Sequence, residues 1–345
     1  MGQKMDALIK ELNRENKSNL FSKGVSEFEY AKIPLTSPRV NYCTYGGIPI
    51  GKMIELYGPQ HGGKSTMGMD VVKNFQIMEK QRAKKDKNYT ARSAFWADIE
   101  NTFDETWARK IGVDVDSLYM YRPEAESAEQ IFNFVTSVIE TGEVGLVVID
   151  SLAAMVSQDE YDKDYDEKAY AGISGPLSRF SKKGEMLCRK FNCTLIGINQ
   201  VRDDMNSTWG GYKTPGGRAW QHLVIARFEF RKGSYIDENG KDLPNNCGNP
   251  YGCKISFLMT KNKTCPPDRR TGFFTINFHD GINYLADLVD MCINSLEIIE
   301  KSGSWFTIPG VDKPIQGQDK VYKYLEEHPD VLKNIEKMIA DKIRQ

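Results

Sequence analysis

Gly58-Pro59-Gln60-His61-Gly62-Gly63-Lys64-Ser65 fits the pattern G-x-x-x-x-G-K-[ST] at every fixed position. Before it runs Met53-Ile54-Glu55-Leu56-Tyr57, a short apolar strand candidate; after it, Thr66 to Met78 can form a helix. Strand, glycine turn and helix in that order are the context the motif needs. Glycines let backbone N–H groups converge on phosphate oxygens, and a helix N-terminus adds partial positive charge. The stretch therefore predicts a nucleoside triphosphate cradle. Lys64 would reach the β/γ-phosphates and the Ser65 hydroxyl would ligate Mg²⁺. A chance glycine turn is the plainer alternative.

From Val40 the chain alternates strand and helix. Candidate strands are Met53–Tyr57, Ala94–Asp98, Gly145–Asp150, Thr194–Asn199, Ala226–Arg231 and Ile255–Thr260. Helical segments Met67–Lys84, Ala125–Thr141 and Gly175–Phe191 precede the second, third and fourth. This predicts an α/β fold with a mostly parallel sheet. In such sheets ligands collect at the carboxyl ends of the strands. Polar residues stand at each early end: the P-loop, Asp98 with Glu100, Asp150 with Ser151, and Asn199 with Gln200. Four strand ends thus point chemistry at one crevice. Gly145-Leu146-Val147-Val148-Ile149-Asp150 reads as a Walker B strand whose Asp150 holds Mg²⁺, directly or through its water. An ordinary strand-capping Asp is its alternative. By spacing alone, Glu100 is either a surface glutamate or a carboxylate that orients and deprotonates the attacking water.

The 345 residues suffice for one large domain with a smaller companion, and a hydrophobic content of 40% is ample for a core. Net charge is -1, so any DNA contact must come from local basic clusters. No apolar run approaches the roughly 18 residues needed to span a bilayer. Met1-Gly2-Gln3-Lys4-Met5-Asp6 lacks the apolar core of a signal peptide. Seven cysteines without a C-x-x-C pair, and no His at zinc spacing, read as reduced thiols of a cytosolic protein. Residues 1–37 stand apart. Leu8, Ile9 and Leu12 share one face of a short helix, and a polar stretch from Asn13 to Lys23 follows. The segment is either a frayed terminus or an arm that docks on a neighbouring subunit.

Further blocks recur in a fixed order: Gly47 to Pro59, Ala108 to Leu118, Asp150-Ser151-Leu152-Ala153-Ala154, Asn199-Gln200-Val201-Arg202, Lys261-Asn262-Lys263 and Asp280-Gly281-Ile282-Asn283. Together they resemble the RecA-type recombinases of bacteria and their phages, over about residues 40 to 340. The resemblance implies an N-terminal oligomerisation arm at 1–37, a RecA-like P-loop ATPase core at 38–283, and a small α+β C-terminal domain at 284–345. It implies ATP and Mg²⁺ as cofactors, with Gly58, Pro59, Gln60, His61, Gly62, Gly63, Lys64, Ser65, Thr66 and Asp150 around the nucleotide. Glu100 takes the position of the general base, and Gln200 that of the γ-phosphate sensor beside a DNA-binding loop. Trp107 would pack on the adenine, with Asp104 near its amino group; a helix-face core residue is the alternative for Trp107. Lys261 and Lys263 would reach across a subunit boundary to the neighbour's ATP, acting like arginine fingers.

Two segments resemble the family's DNA-binding loops, at about 158–172 and 201–215. Taken alone, the first is an acidic solvated run from Asp159 to Glu167, with Arg179, Lys182 and Lys183 on the next helix. The second holds Arg202, Trp209 and Lys213 and is bounded by Gly216-Gly217, which suits sequence-independent single-strand binding. A surface loop without a ligand is the competing reading. Some positions depart from the family. Its arginine after the first loop falls near Pro176, so Arg179 would substitute one turn later. Ser256 and Leu258 replace basic residues expected for a secondary duplex site, while Arg231, Lys232 and Lys254 remain. The chain ends at Gln345 without an acidic tail, which predicts freer access to duplex DNA. Helices at Leu285–Ser295 and Val321–Arg344 flank a short strand at Trp305-Phe306-Thr307-Ile308. The last helices either contact duplex DNA through Lys333, Lys337, Lys342 and Arg344 or present a solvated face.

The expected function is an ATP-dependent DNA recombinase that forms helical filaments on single-stranded DNA and exchanges strands with duplex DNA. Its place is the bacterial cytoplasm or nucleoid, phage-infected or not, with no membrane partner and with single-strand-binding or mediator proteins as further partners. A ring-shaped helicase or clock-type ATPase shares the core, but Lys261-Asn262-Lys263 and the C-terminal domain favour the recombinase. A non-hydrolysing DNA coat protein is the other rival, and it has no need of Lys64, Ser65, Glu100 and Asp150.

Overall fold

Strands such as Val144–Asp150 are apolar on both faces, and a sheet built from them must be covered twice. The structure, a computed structural model, meets that demand and describes residues 3–15, 30–164, 172–203 and 212–344. The chain divides into two compact units, Met1–Ala31 and Lys32–Gln345. The first carries α1 (Gln3–Glu15).

The second begins with β1 (Lys32–Ile33), α2 (Pro38–Cys43) and β2 (Ile48–Pro49). Then come β3 (Met53–Gly58), α3 (Lys64–Lys85), β4 (Ser93–Asp98), α4 (Glu105–Ile111), β5 (Leu118–Tyr121) and α5 (Ala128–Glu140). β6 (Val144–Asp150), α6 (Gln158–Tyr161), α7 (Ser174–Phe191) and β7 (Thr194–Gln200) follow. The chain continues through β8 (Arg202–Asp203), β9 (Tyr212–Lys213), α8 (Gly217–Leu223), β10 (Ala226–Ile236), β11 (Asp242–Leu243), β12 (Gly252–Asn262), β13 (Thr271–Asn277) and β14 (Gly281–Ile282). It finishes with α9 (Tyr284–Asn294), β15 (Glu300–Ser302), β16 (Trp305–Thr307), β17 (Ile315–Gln316), α10 (Gln318–Glu327) and α11 (Pro329–Arg344).

The main sheet runs β14-β13-β12-β10-β3-β7-β6-β4-β5, with β11 on β10. From β10 to β5 the neighbours are parallel, and from β10 outward to β14 they are antiparallel. Alternation sorts the strand residues into two layers. Ile54, Leu56, Trp96 and Val148 pack with Met67, Val71 and Phe75 of α3. Met53, Phe95, Val147 and Ile149 pack with Val135 of α5 and Leu177 and Phe180 of α7. Full burial of one such large side chain is worth roughly 1.5–3 kcal/mol, so neither face can be left open. A third cluster joins α9, α10 and α11 to the β15-β16-β17 sheet through Leu288, Phe306, Val321 and Ile335.

A buried polar clasp ties α2 to α9. Ser37 caps α2 and donates its hydroxyl to Asp287. Arg39 reaches Asp290 at 2.5 Å and Ser295 at 2.6 Å, and its guanidinium lies 5.0 Å from the Phe273 ring centre. Burial pushes Asp287 up to about 6 against these bonds.

Three features differ from the sequence expectation. β10 and β12 run past Ala226–Arg231 and Ile255–Thr260, because they continue as an antiparallel pair beyond the parallel part of the sheet. β5 and β13 were not expected, and in β5 the exposed Tyr119 hides a strand signal. The predicted helix Val321–Arg344 is two helices, because a proline pushes the residue before it out of the helical region; His328 sits at φ -124, ψ 73. The first expected DNA loop opens with one helical turn, α6, capped by Ser157. Residues 165–171 of that loop and 204–211 of the second, Trp209 among them, lie outside the described residues.

Candidate active site

β3 delivers the P-loop at its carboxyl end. Gly58 has φ 150, and a Cβ there would meet the Phe230 carbonyl oxygen at 2.1 Å, so no other residue fits. Lys64 opens α3, is buried, and donates Nζ to the Pro59 carbonyl at 2.7 Å. Burial pulls its pKa down, while Asp150 and Glu100 push the other way. The next residue, Ser65, donates its hydroxyl to Asp150 Oδ2 at 2.7 Å. Asp150 ends β6 and is 8% exposed. Burial raises it to about 6, with Glu100 and Asp98 adding to the rise and the Ser65 bond and Lys64 opposing it.

Glu100 follows β4, and its backbone hangs on β6: the N–H groups of Ile99 and Glu100 donate to the Asp150 carbonyl at 2.7 and 3.4 Å. Its Oε1 accepts Nε2 of Gln200 at 2.8 Å and the hydroxyl of Ser151. Lys64, Ser65, Asp150, Glu100 and Gln200 therefore meet at adjoining strand ends. Two of their polar neighbours, Asp98 and Asn199, do not turn to the crevice as the sequence suggested. Asp98 is 2% exposed and accepts the backbone N–H groups of Thr102 and Phe103, both at 3.0 Å, so it shapes the loop that carries Glu100. Asn199 is fully buried and donates to Glu55 at 2.9 Å and to the Pro215 carbonyl at 3.1 Å. Each is scaffold for the site residue that follows it, Glu100 or Gln200.

A cavity of about 430 Å³ opens beside the P-loop, walled by His61 to Thr66, Trp107, Lys232, Tyr235 and Phe278. Trp107 reaches the loop through an Nε1–H bond to Thr66 Oγ1 at 3.3 Å. Asp104 is exposed and caps α4, accepting the Trp107 N–H at 3.0 Å. Phe278 escaped the sequence reading. Its signal was an aromatic directly after a strand and beside the Asp280-Gly281-Ile282-Asn283 block. Trp107, Tyr235 and Phe278 put three aromatic rings around one cavity, which suits a planar base.

Lys261 and Lys263 are not brought to this P-loop. Lys261 lies opposite Arg227, which lies opposite Glu55, while the Lys263 N–H donates to Ile225. Both therefore sit toward the other end of β3. Lys261 Nζ donates to the carbonyls of Gln221 and His222 at 2.8 and 2.7 Å. Burial, then Lys263 and Arg227, pull it down to about 8.

At the foot of the second loop, Arg202 and Lys213 face each other across the β8–β9 pair, and both are exposed. Gly216, at φ 101, caps α8, and Gly217 follows at φ 75. Arg179 and Lys183 lie apart from this group, on the side of α7 turned to α5, paired with Glu129 at 3.6 Å and Glu140 at 3.4 Å. Arg231 and Lys254 are likewise paired, with Glu229 and Asp242. Among the described residues no helix is long and apolar enough to cross a membrane.

The chain matches two family descriptions in succession, the RecA N-terminal domain over residues 23–283 and the RecA C-terminal domain over residues 286–344. It is 32% identical over 321 residues to Protein RecA of Aquifex pyrophilus, covering 92% of this chain and 85% of that one. Against Protein RecA of Syntrophus aciditrophicus the identity is 30% over 341 residues, covering 97% and 92%. Motif, strand-end cluster and domain order agree with these matches, and the chain belongs to the RecA family of DNA-dependent ATPases and recombinases.

Proposed function

We propose that the chain binds Mg²⁺-ATP at its P-loop, hydrolyses it when assembled on single-stranded DNA, and couples the turnover to strand exchange with duplex DNA. The observation that carries the reading is the contact of Gln200 with Glu100 beside the Ser65–Asp150 pair. It joins the strand that leads into the second loop to the carboxylate best placed to act on water. Lys64 would leave the Pro59 carbonyl for the β/γ-phosphates. Ser65 and Asp150 offer an all-oxygen donor set, and a buried carboxylate whose hydrogen-bond donor is a hydroxyl fits a divalent cation. When bound, Mg²⁺ supplies charge neutralisation on the phosphate oxygens. Glu100 accepts the proton of the attacking water. Gln200 exchanges Glu100 for the γ-phosphate and, as the last residue of β7, displaces Val201 and the loop behind it. Trp107 and Asp104 hold the base.

Arg202, Trp209 and Lys213 with the Gly216-Gly217 backbone hold single-stranded DNA, and Arg179 and Lys183 join by releasing the acids of α5. Lys261 and Lys263 serve the site of the neighbouring protomer in a helical filament. The arm 1–37 docks between protomers, and residues 284–345 form a C-terminal domain that gathers duplex DNA. The setting is a bacterial cytoplasm, with single-strand-binding or mediator proteins as partners.

The test is ATP hydrolysis with and without single-stranded DNA, for the chain and for Glu100→Gln. Strong stimulation by single strands, lost in the variant, is the expected result. Hydrolysis indifferent to DNA would favour a ring ATPase, and no hydrolysis at all a coat protein.

A further inference from the structure

One buried hydroxyl at the reacting end of the sheet has no task in the reading above. Ser151 is 1% exposed, directly follows Asp150, and donates its hydroxyl to Glu100 Oε1. Gln200 donates to the same oxygen. Among the described residues no hydrogen bond reaches Oε2. With the Asp150 carbonyl holding the Glu100 backbone, two consecutive residues of β6 fix both the main chain and the carboxylate.

The two donors differ in what they can do. Gln200 is half-exposed at the mouth of the second loop and can turn to another acceptor, whereas Ser151 is enclosed and cannot leave. An exposed glutamate with one donor has lost little of its rotamer freedom, which is worth up to roughly 2 kcal/mol. A base displaced by about 1 Å can lose on the order of a hundredfold in rate. We propose that Ser151 is a positioning residue for hydrolysis: it keeps Glu100 Oε1 anchored after Gln200 departs, so that Oε2 stays aimed at the water. The proposal rests on Glu100 being the base, and it adds a third group that orients that base, as the partner of a catalytic base commonly does.

The experiment is steady-state ATP hydrolysis by the full chain on single-stranded DNA, for Ser151→Ala, Ser151→Thr, Ser151→Val and Glu100→Gln, with ATP and DNA binding measured alongside. Thr and Val share a shape and differ in the hydroxyl, so their comparison cancels any effect of packing. The expected result is a kcat lowered about 10–100-fold in the Ala and Val variants, with KM for ATP and DNA affinity unchanged, and recovery in the Thr variant. Equal kcat within either pair, wild type with Ala or Thr with Val, overturns the role of Ser151 provided Glu100→Gln is inactive. A Glu100→Gln chain that hydrolyses normally overturns the reading of Glu100 itself. Should the Ala variant fail to bind ATP, the Thr and Val pair decides; should both of that pair fail, the role is purely structural and the proposal falls.

Discussion

Glu55 and Asp150 are carboxylates of neighbouring parts of one sheet, both removed from water, and their surroundings are opposite in kind. Glu55 is fully buried, receives the Arg227 guanidinium on one oxygen and Asn199 on the other at 2.9 Å. Arg227 continues to Thr214 at 3.1 Å, which Gln221 also reaches. Glu55 and Arg227 thus meet their counter-charges inside the fold. Asp150 receives a hydroxyl from Ser65, and burial holds it at about 6. A buried acid closed on an arginine is scaffold, because removing either partner strands a charge. A buried acid closed on a hydroxyl is, on the proposed reading, the one that exchanges its donor for a cation. Burial alone does not separate the two; the donor does.

The comparison can be broken most directly at Glu55. Glu55→Ala should cost about 3–5 kcal/mol in urea unfolding, since Arg227 is left beneath the second loop without its acid, whereas Asp150→Asn should leave the ligand-free chain as stable or more so. Equal losses would erase the distinction. Next in size is the ligand effect. Nucleotide at about 100 times its Kd should stabilise the chain by about 2.7 kcal/mol, and Asp150→Asn should remove the difference between Mg²⁺ and EDTA in the melting temperature. An effect of similar size follows from protons. Asp150 and Asp287 both bind a proton more tightly folded than unfolded, so between about pH 4 and pH 6 the folded chain holds more protons. Stability of the ligand-free chain should therefore fall as pH rises through that window, with Asp150→Asn showing only the share due to Asp287; melting at pH 4.5 and 7 reads it. Smallest is Thr214→Val, about 2 kcal/mol for two lost hydrogen bonds, with the Mg²⁺ dependence untouched. A changed Mg²⁺ dependence there would mean that the two regions are coupled.

The strands and the P-loop were legible in the linear sequence, while the closure of Glu55 on Arg227 and Asn199 was hidden for a physical reason. The P-loop, the Walker B strand and the flanking helices are local patterns, and the strands β3, β4, β6 and β7 start or end within a residue of their expected limits. What a strand end cannot reveal is which of two nearby polar residues turns inward. Asp98 and Glu100, or Asn199 and Gln200, read alike until backbone donors at Thr102 and Phe103 and the carboxylate of Glu55 claim the first of each. The pairing of Arg179 and Lys183 with acids of α5 was equally hidden, because those partners lie on another element far along the chain.

The clasp between α2 and α9 has a consequence in time. Ser37 and Arg39 meet Asp287 across 250 and 248 residues of sequence. On a ribosome adding about 5–20 residues per second, a guanidinium destined for burial waits roughly 12–50 s before its acid has been polymerised. The P-loop, the Walker B strand and β7 all emerge within that interval. A nascent chain can thus assemble the nucleotide-facing strands while its own beginning is still unclasped, and the segment made early is among the last to be locked.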